Sequence, residues 1–484
     1  MEAIPIVVFW AIVFWSFFQE KQVLLYMLFA SMSFGSFAAI PTEVTVGLTL
    51  TPTPLVAMVL IARELGSRRG LATVVDTALK PSGLFLLFLF WVVAGVATAF
   101  MPRLFAGNVQ VVPVRIGDLA DSVLLVPTVQ NISQFVYVSI SVLSVFAFAS
   151  LLRSDAMRRH ALVALCLGAA IAVTTGFLDY LSQSTGLESL LEVFRTASYA
   201  LLIEDEVLGG KRVVGLMPEA SAFGMLALSF LVSLYFFRRA MPKGLLRDRG
   251  VPVLMSALLL LIWLSTSSAA YLGLCLFGAA AATEWCWRLI AAGRNPYLRR
   301  GISTEFWLGV TALGMLVLAV LVVPQVFNPV VEMFDTMVLQ KSASSSFEER
   351  GMWTRVSLSS LFATYGLGVG LGGTRASNFA VALASNTGVL GAACYFLFVA
   401  QTVLIRRARE GDAKGQAILS AVRWSYLPPF FTSLTIGTTP DFGLYNAFLY
   451  GMAAAIAGGA LQRVVRPVVA GAPRRGTMRA ARVD

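Results

Sequence analysis

Two stretches of the sequence bring cationic and acidic side chains together beside apolar segments, and the first lies around residue 212. Lys211 and Arg212 come shortly before Pro218 and Glu219, which open an apolar run. A carboxylate close to two cations can act as a general base or hold an arginine in place. The pattern also fits an ordinary helix start, because proline is tolerated in the first turn and glutamate favours the positive helix end.

The second stretch carries three arginines around a tryptophan and a glycine-rich run. Arg350 and Arg355 flank Trp353, and the run of glycines ends at Arg375, shortly before Asn378. Guanidinium groups pair bidentately with phosphate oxygens, so we predict a phosphate or pyrophosphate site here. The alternative is an arginine-rich loop bound to lipid head groups.

The glycines of this run admit two interpretations. Gly368, Gly370 and Gly372 alternate with other residues and resemble a dinucleotide-binding fingerprint. No βαβ unit surrounds them, so that interpretation is rejected. Exposed N–H groups at Gly370 and Gly372 can instead cradle an anion, since glycine allows non-helical turns and close backbone approach.

The remaining ionisable residues give weaker signals. Asp441 lies in a short turn, residues 438–442, where it either contacts the substrate or simply begins a helix. The only histidine, His160, ends an arginine cluster, so no histidine base is predicted beside the two stretches. The four cysteines occur singly, without CxxC or metal-ligand spacing. We therefore predict neither a metal nor another cofactor.

The composition indicates what kind of structure must position these residues. The 484 residues are 57% hydrophobic and 13% charged, which is too apolar for a soluble domain. Apolar runs of about 17 to 25 residues recur, the length that carries an α-helix across a bilayer. We predict an all-α polytopic membrane protein with about 12 to 14 transmembrane helices. The predicted spans cover residues 4–18, 22–40, 46–62, 82–101, 132–152, 161–177, 218–237, 251–264, 267–284, 306–325, 386–404, 417–437 and 443–461.

The distribution of charge predicts the orientation of these spans. The net charge is +11, but lysine and arginine occur in short clusters between spans, so nucleic-acid binding is not indicated. With these spans every basic cluster falls on one side, which we expect to be the cytoplasm. Two large loops, about 178–217 and 326–384, then lie on the extracytoplasmic side. We expect one transmembrane bundle over 1–462 and a basic, disordered cytoplasmic tail over 463–484.

In residues 210–400 the sequence resembles the O-antigen polymerase (Wzy) and O-antigen ligase superfamily, in particular its ExoQ-like polysaccharide polymerases. The resemblance rests on residues 212–224, similar to an Arg-x-x-Gly-x-x-x-Glu motif before a span, and on Arg350-x-x-Trp353 followed by the alternating glycines. Arg355 and Gly366 also reproduce an Arg-x10-Gly spacing found in polymerases.

The resemblance implies a metal-independent glycosyltransferase of the bacterial inner membrane that joins undecaprenyl-pyrophosphate-linked oligosaccharides on the periplasmic side. Its partners would be this lipid-linked oligosaccharide, membrane lipid and a chain-length-regulating co-polymerase. Glu219 is the first choice as base, with Glu348, Glu349 and Asp441 behind it. The arginines would stabilise charge on the departing diphosphate. The implied catalytic residues are Glu219, Arg212 and Arg350, and the implied substrate contacts are Lys211, Arg355, Gly370, Gly372, Arg375, Asn378 and Asp441.

Two alternatives stay open. A ligase would transfer the glycan to a lipid acceptor, but ligases typically have His-Asn where this chain has Ser377-Asn378, and Ser-Arg where it has Ser268-Ala269. A transporter or flippase would move the lipid-linked glycan without forming a bond, and would be expected to place ionisable residues near the bilayer midplane.

Overall fold

The computed structural model describes a chain that is helical almost throughout. It describes residues 3–41, 49–114, 122–186, 188–198, 201–202, 206–207, 210–291, 293, 295–322 and 345–464. The predicted tail lies outside the described residues from position 465 onward, as do residues 326–344 of the second predicted loop.

Helices and two small hairpins make up the described regular structure. The helices are α1 (Ala3–Ser16), α2 (Gln22–Ser31), α3 (Pro52–Leu65), α4 (Arg68–Leu79), α5 (Phe85–Leu104), α6 (Val129–Leu151), α7 (Asp155–Ser182), α8 (Glu188–Glu192), α9 (Ala220–Phe237), α10 (Val251–Leu264), α11 (Ser268–Ala291), α12 (Ile302–Val322), α13 (Ser345–Ala363), α14 (Phe379–Ala400), α15 (Ala413–Ile436) and α16 (Gly443–Val464). Strand β1 (Gln110–Val111) pairs antiparallel with β2 (Val123–Leu124), and β3 (Glu206–Val207) with β4 (Gly210–Lys211).

The predicted fold class is confirmed, because each predicted span overlaps one of these helices. Among the residues that the structure describes, six helical segments are long and apolar enough to cross a membrane: Phe85–Leu104, Val129–Leu151, Asp155–Ser182, Ala220–Ala240, Ser268–Ile290 and Phe379–Ile405. The chain is therefore an all-α polytopic membrane protein.

Some boundaries differ from the predicted spans. Helix α2 ends at Ser31, far short of residue 40, because the chain turns there and Ser36 donates its N–H to the carbonyl of Leu216. Helix α3 begins only at Pro52, a residue suited to the first helical turn. The amphipathic helix α4 falls in a region predicted as a loop, because its arginines interrupt the apolar pattern.

The predicted span 386–404 matches the second part of α14, but the sequence analysis missed the first part, because α14 is broken at Gly388. This glycine has φ 73° and ψ 173°, which is not helical. The rings of Phe379 and Tyr395 lie only 5.6 Å apart, whereas sixteen residues of continuous helix would separate them by about 24 Å. Residues 379–387 therefore form a re-entrant helix that runs back toward the membrane surface, and the membrane crossing begins after Gly388.

The basic clusters lie together on one side of the bundle, as predicted, and this side is called the basic face. It is held together by hydrogen bonds and ion pairs between loops that are distant in sequence. These join Lys21 to Glu64 (2.7 Å), Arg153 to Thr77 (3.1 Å), Lys414 to Asp155 (3.0 Å), Asn295 to Ala413 (2.9 Å) and Arg406 to Gly83 (2.6 Å). The side on which α5 ends and α6 begins is called the opposite face.

Close helix packing depends on glycines that face aromatic rings. Gly451 of α16 lies against Phe148 of α6, where an added Cβ would come within 2.3 Å of the phenylalanine Cβ. Gly168 of α7 lies against Phe230 of α9 in the same manner, at 2.8 Å. Small residues are the common means of close approach between membrane helices, because lipid supplies no hydrophobic drive for their association.

A buried ion network connects α9, α11 and α12 at the basic face. The guanidinium of Arg288 is fully buried and donates to Glu284 at 2.8 Å and to Glu305. Arg239 donates to Glu284 at 2.6 Å and to Glu305 at 3.3 Å. Two positive and two negative side chains thus neutralise each other where water is excluded.

Replacing Arg288 by methionine should lower the free energy of unfolding by roughly 3–5 kcal/mol, because the two glutamates would stay buried with one cation between them. Unfolding in detergent micelles measures this loss. The matched control is Lys80→Met, which breaks the exposed pair of Lys80 with Asp76 and should cost less than about 1 kcal/mol. Equal losses in the two variants would contradict a structural role for the network.

Candidate functional site

Arg212 lies at the opposite face, against the turn between α10 and α11. Its Nε donates to the carbonyl of Ser265 and to the hydroxyl of Thr266, both at 3.2 Å, and its Nη2 donates to the carbonyl of Thr266 at 3.3 Å. Thr266 has φ 44°, a left-handed conformation that β-branched residues rarely adopt. Such strain persists only where neighbours enforce it, so Arg212 and this turn hold each other in place.

A buried carboxylate that the sequence analysis did not single out fixes the segment after Arg212. Asp179 pairs with Arg195 at 2.8 Å, and both side chains are almost fully buried. Its other oxygen accepts the N–H groups of Val214 at 2.7 Å and Gly215 at 2.9 Å. Asp179 lies in the last turns of the apolar helix α7. An acidic residue within a membrane-spanning helix is the sequence signal that could have identified it.

Glu219 and Lys211 do not meet as the sequence predicts. Glu219 is half-buried immediately before α9, and it accepts a hydrogen bond from the hydroxyl of Ser221. Lys211 instead faces Glu188 of α8 at 3.8 Å. Arg212, Ser265 and Thr266 are called the Arg212 cluster below.

A second cluster forms where the guanidinium of Arg375 lies over the ring of Trp353, 3.7 Å from its centroid. The backbone of Arg375 is fixed on both sides, since its N–H donates to Val112 at 2.8 Å and its carbonyl accepts from Ser357 at 2.7 Å. Burial lowers the pKa of Arg375, and the nearby charge of Glu349 raises it. A desolvated cation on an indole face is a favourable arrangement.

Two buried donors of this cluster have no acceptor in the described part of the chain. They are Nε of Arg375 and Nε1 of Trp353. Buried polar groups normally have a hydrogen-bond partner, so two adjacent donors without one indicate a place for an oxygen-rich ligand.

The other two predicted arginines lie on α13 and differ in position. Arg350 is half-buried and comes one helical turn before Trp353, so the two share a face of the helix. Arg355 is exposed and comes two residues after Trp353, a spacing that places it on another side. The structure therefore brings together Arg350, Trp353 and Arg375, called the Arg375 cluster, and leaves Arg355 outside it.

The predicted anion cradle at Gly370 and Gly372 is wrong, because both glycines are buried in the bundle. They have φ values of 82° and 75°, and a Cβ would come within 2.8 Å of Pro102 at Gly370 and within 2.6 Å of Gln130 at Gly372. Neighbouring N–H groups are engaged as well, such as that of Leu371, which donates to the hydroxyl of Thr98 at 3.2 Å. These glycines let the turn pack against α5 and α6, and the one cavity that Gly372 borders is lined mainly by apolar side chains.

Asn378 also has a structural task that the sequence did not predict. It precedes α14, and its side-chain oxygen accepts the N–H of Val381 at 3.1 Å. This is an N-cap, which satisfies one of the free N–H groups at the helix start. Its amide oxygen is therefore occupied by the re-entrant helix.

Asp441 lies deep in the bundle and not at the surface where the sequence predicts it. Its carboxylate accepts hydrogen bonds from Ser141 and, at 3.0 Å, from the N–H of Gly443. Ser141 comes twelve residues after the start of α6, about 18 Å below the opposite face. Residues 437–442 are called the deep turn.

An independent measure gives the same depth. The ring of Phe442 stacks at 5.6 Å on Tyr395, which in turn lies 5.5 Å from Phe90. Phe90 precedes the end of α5 by fourteen residues, or about 21 Å. Even so, Thr435 and Thr438 are exposed, so hydroxyl-bearing surface is accessible near the midplane.

The deep turn lies between the two arginine clusters. On one side α15 packs along α11. A Cβ added at Gly273 of α11 would lie 3.2 Å from the hydroxyl of Thr432 of α15. Helix α11 begins at the turn that holds Arg212. On the other side Gly437 touches Phe379, which follows Arg375 by four residues. Cations thus flank a recessed carboxylate, an arrangement suited to an anionic substrate and a proton transfer.

No family model matches the chain, and no curated protein or solved structure is similar to it. The case for a function therefore rests on this geometry and on the motifs of the sequence.

Replacing Asp179 by asparagine should lower the free energy of unfolding by roughly 3–5 kcal/mol, because Arg195 would stay buried without its counter-charge. It should also expose the segment after Arg212 to proteases. Thermal unfolding and limited proteolysis measure the two effects. Glu192→Gln, at an exposed acid of the same loop, is the control and should change neither. A stable, protease-resistant Asp179→Asn protein would contradict the proposed anchor.

Proposed function

We propose that the protein is an integral-membrane glycosyltransferase that polymerises undecaprenyl-pyrophosphate-linked oligosaccharides on the extracytoplasmic side of the bacterial inner membrane. The observation that carries the proposal is the pair of arginine clusters flanking the deep turn, away from the basic face. Guanidinium groups fixed in this manner suit a diphosphate that must be bound and then released. The order of the motifs around Arg212 and Arg350 supports the same assignment.

In the proposed reaction an acceptor hydroxyl attacks the anomeric carbon of the donor sugar. The new glycosidic bond forms as the bond to the diphosphate breaks, and a base takes the hydroxyl proton. Negative charge develops on the departing diphosphate, where Arg375 and Arg350 would stabilise it. No metal is needed for this step, since the guanidinium groups supply the positive charge.

The base is better assigned to Asp441 than to Glu219. Glu219 is engaged by the hydroxyl of Ser221 at the start of α9. Asp441 lies between the two clusters, which is the position that the proposed transfer requires of a base. Glu349 remains a candidate because its charge acts on Arg375.

Transport of the lipid-linked glycan is the second candidate, and the depth of Asp441 is the observation that favours it. Intramembrane carboxylates and broken helices are common at transport sites, and α14 is broken at Gly388. A transporter would move lipid-linked repeat units across a vesicle membrane without lengthening them.

Purified wild-type protein incubated with lipid-linked repeat units should yield a ladder of longer glycans. Arg375→Ala should reduce the initial rate about 100- to 1,000-fold, the loss typical of a group that stabilises developing negative charge. The control is Arg103→Ala, which removes an exposed arginine at the end of α5 and should leave the rate unchanged. Transfer across the membrane without any ladder would favour transport, and a product only with added lipid A-type acceptor would favour a ligase.

Asp441→Asn should abolish most of the activity, because an amide cannot accept the proton of the acceptor hydroxyl. Ladder formation from lipid-linked repeat units measures this loss. A folded Asp441→Asn protein that forms the ladder at the wild-type rate would contradict the assignment.

A further inference from the structure

An apolar groove opens on the opposite face between the β1–β2 hairpin, the first turn of α6 and the glycine-rich turn. Its volume is about 300 Å³. The walls are aliphatic, with Val111, Val123, Leu124, Val126 and Val129 among the lining residues. Four of these five residues are β-branched, so the groove presents methyl groups and no charge.

The groove opens toward the part of the surface that faces lipid. Val129 and Ile132 at the start of α6 are 71% and 67% exposed. Phe100 and Leu104 at the end of the neighbouring helix α5 are similarly exposed. In a membrane protein such a band of exposed apolar side chains lies against acyl chains, so a lipid can enter the groove sideways from the bilayer.

The groove adjoins the Arg375 cluster. Val111 and Pro113 line it, and the residue between them, Val112, accepts the N–H of Arg375 at 2.8 Å. Gly373, two residues before Arg375, forms another part of the wall. The backbone of Arg375 is therefore about one strand spacing, about 5 Å, from the groove wall.

This juxtaposition is what an amphipathic ligand with an anionic head requires. The unfilled donors on Arg375 and Trp353 call for oxygen acceptors, while the groove accepts only apolar atoms. A simple anion would leave the groove empty, and an uncharged chain would leave the donors unfilled. A branched chain also complements a wall of β-branched side chains better than a straight one does.

We propose that this groove binds the isoprenoid chain next to the head group of a polyprenyl diphosphate, whose diphosphate lies at Arg375 and Trp353. The inference rests on the proposed function for the identity of the lipid. It adds where the lipid lies and how it arrives, from the bilayer past Val129 and Ile132. The remainder of a long chain would stay in the membrane.

The test measures binding of undecaprenyl diphosphate without any sugar to the full-length protein in nanodiscs. Leu124→Glu should weaken binding at least about tenfold, because the carboxylate would face the isoprenoid chain. Arg375→Ala should weaken it by a similar factor through the head group. The matched control is Leu190→Glu on α8, which changes a leucine of nearly equal exposure on the same face, 51% against 48% for Leu124. It should bind as wild type does.

A photocrosslinking amino acid at position 126 keeps the proposal testable if Leu124→Glu does not fold. It should capture undecaprenyl diphosphate, and the same group at position 190 should not. Wild-type binding by a folded Leu124→Glu protein would overturn the groove assignment, as would equal capture of phosphatidylglycerol. Binding as predicted without ladder formation would leave the groove intact and refute polymerisation alone, so the two failures are distinguishable.

Discussion

A helix that begins inside an apolar bundle leaves backbone N–H groups that neither water nor lipid can satisfy, and α16 imposes this constraint by starting at Gly443. Buried polar side chains around this point supply the missing hydrogen bonds. Asp441 accepts the N–H of Gly443 and a hydrogen bond from Ser141 of α6. On the other flank, Phe379 and the re-entrant helix close against Gly437. A buried carboxylate is thus a consequence of where one helix begins.

Buried hydrogen bonds also fix the polar segments that carry the two arginine clusters. Asp179 holds the backbone that follows Arg212, and Thr374 and Ser357 hold the segment that carries Arg375. Guanidinium groups on such rigid supports need little reorganisation when a diphosphate binds, which is the condition for effective electrostatic stabilisation. Cations at fixed positions above a recessed carboxylate form the core of the proposed site.

The sequence predicts those parts of the fold that depend on local pattern. Hydropathy locates the helices, and the basic clusters locate the face on which they meet. It does not predict the reversal at Gly388, because a single glycine within an apolar run is equally compatible with a continuous helix. The depth of Asp441 was missed for a related reason, since a turn signal carries no information about depth. The pairing of Arg375 with Trp353 depends on tertiary contact between residues 22 positions apart, and spacing alone suggested all three arginines equally.

The central claim is that the deep turn is reached from the face that carries the arginine clusters, and cysteine accessibility tests it most directly. In a variant without the native cysteines, Thr438→Cys should react in intact cells with a membrane-impermeant thiol reagent added outside. Thr185→Cys, an exposed position at the end of α7, serves as the positive control. Position 438 is predicted to be labelled, and added undecaprenyl diphosphate is predicted to slow this labelling. The account would be contradicted if the cysteine at position 438 did not react from outside, or if it reacted only from the basic face.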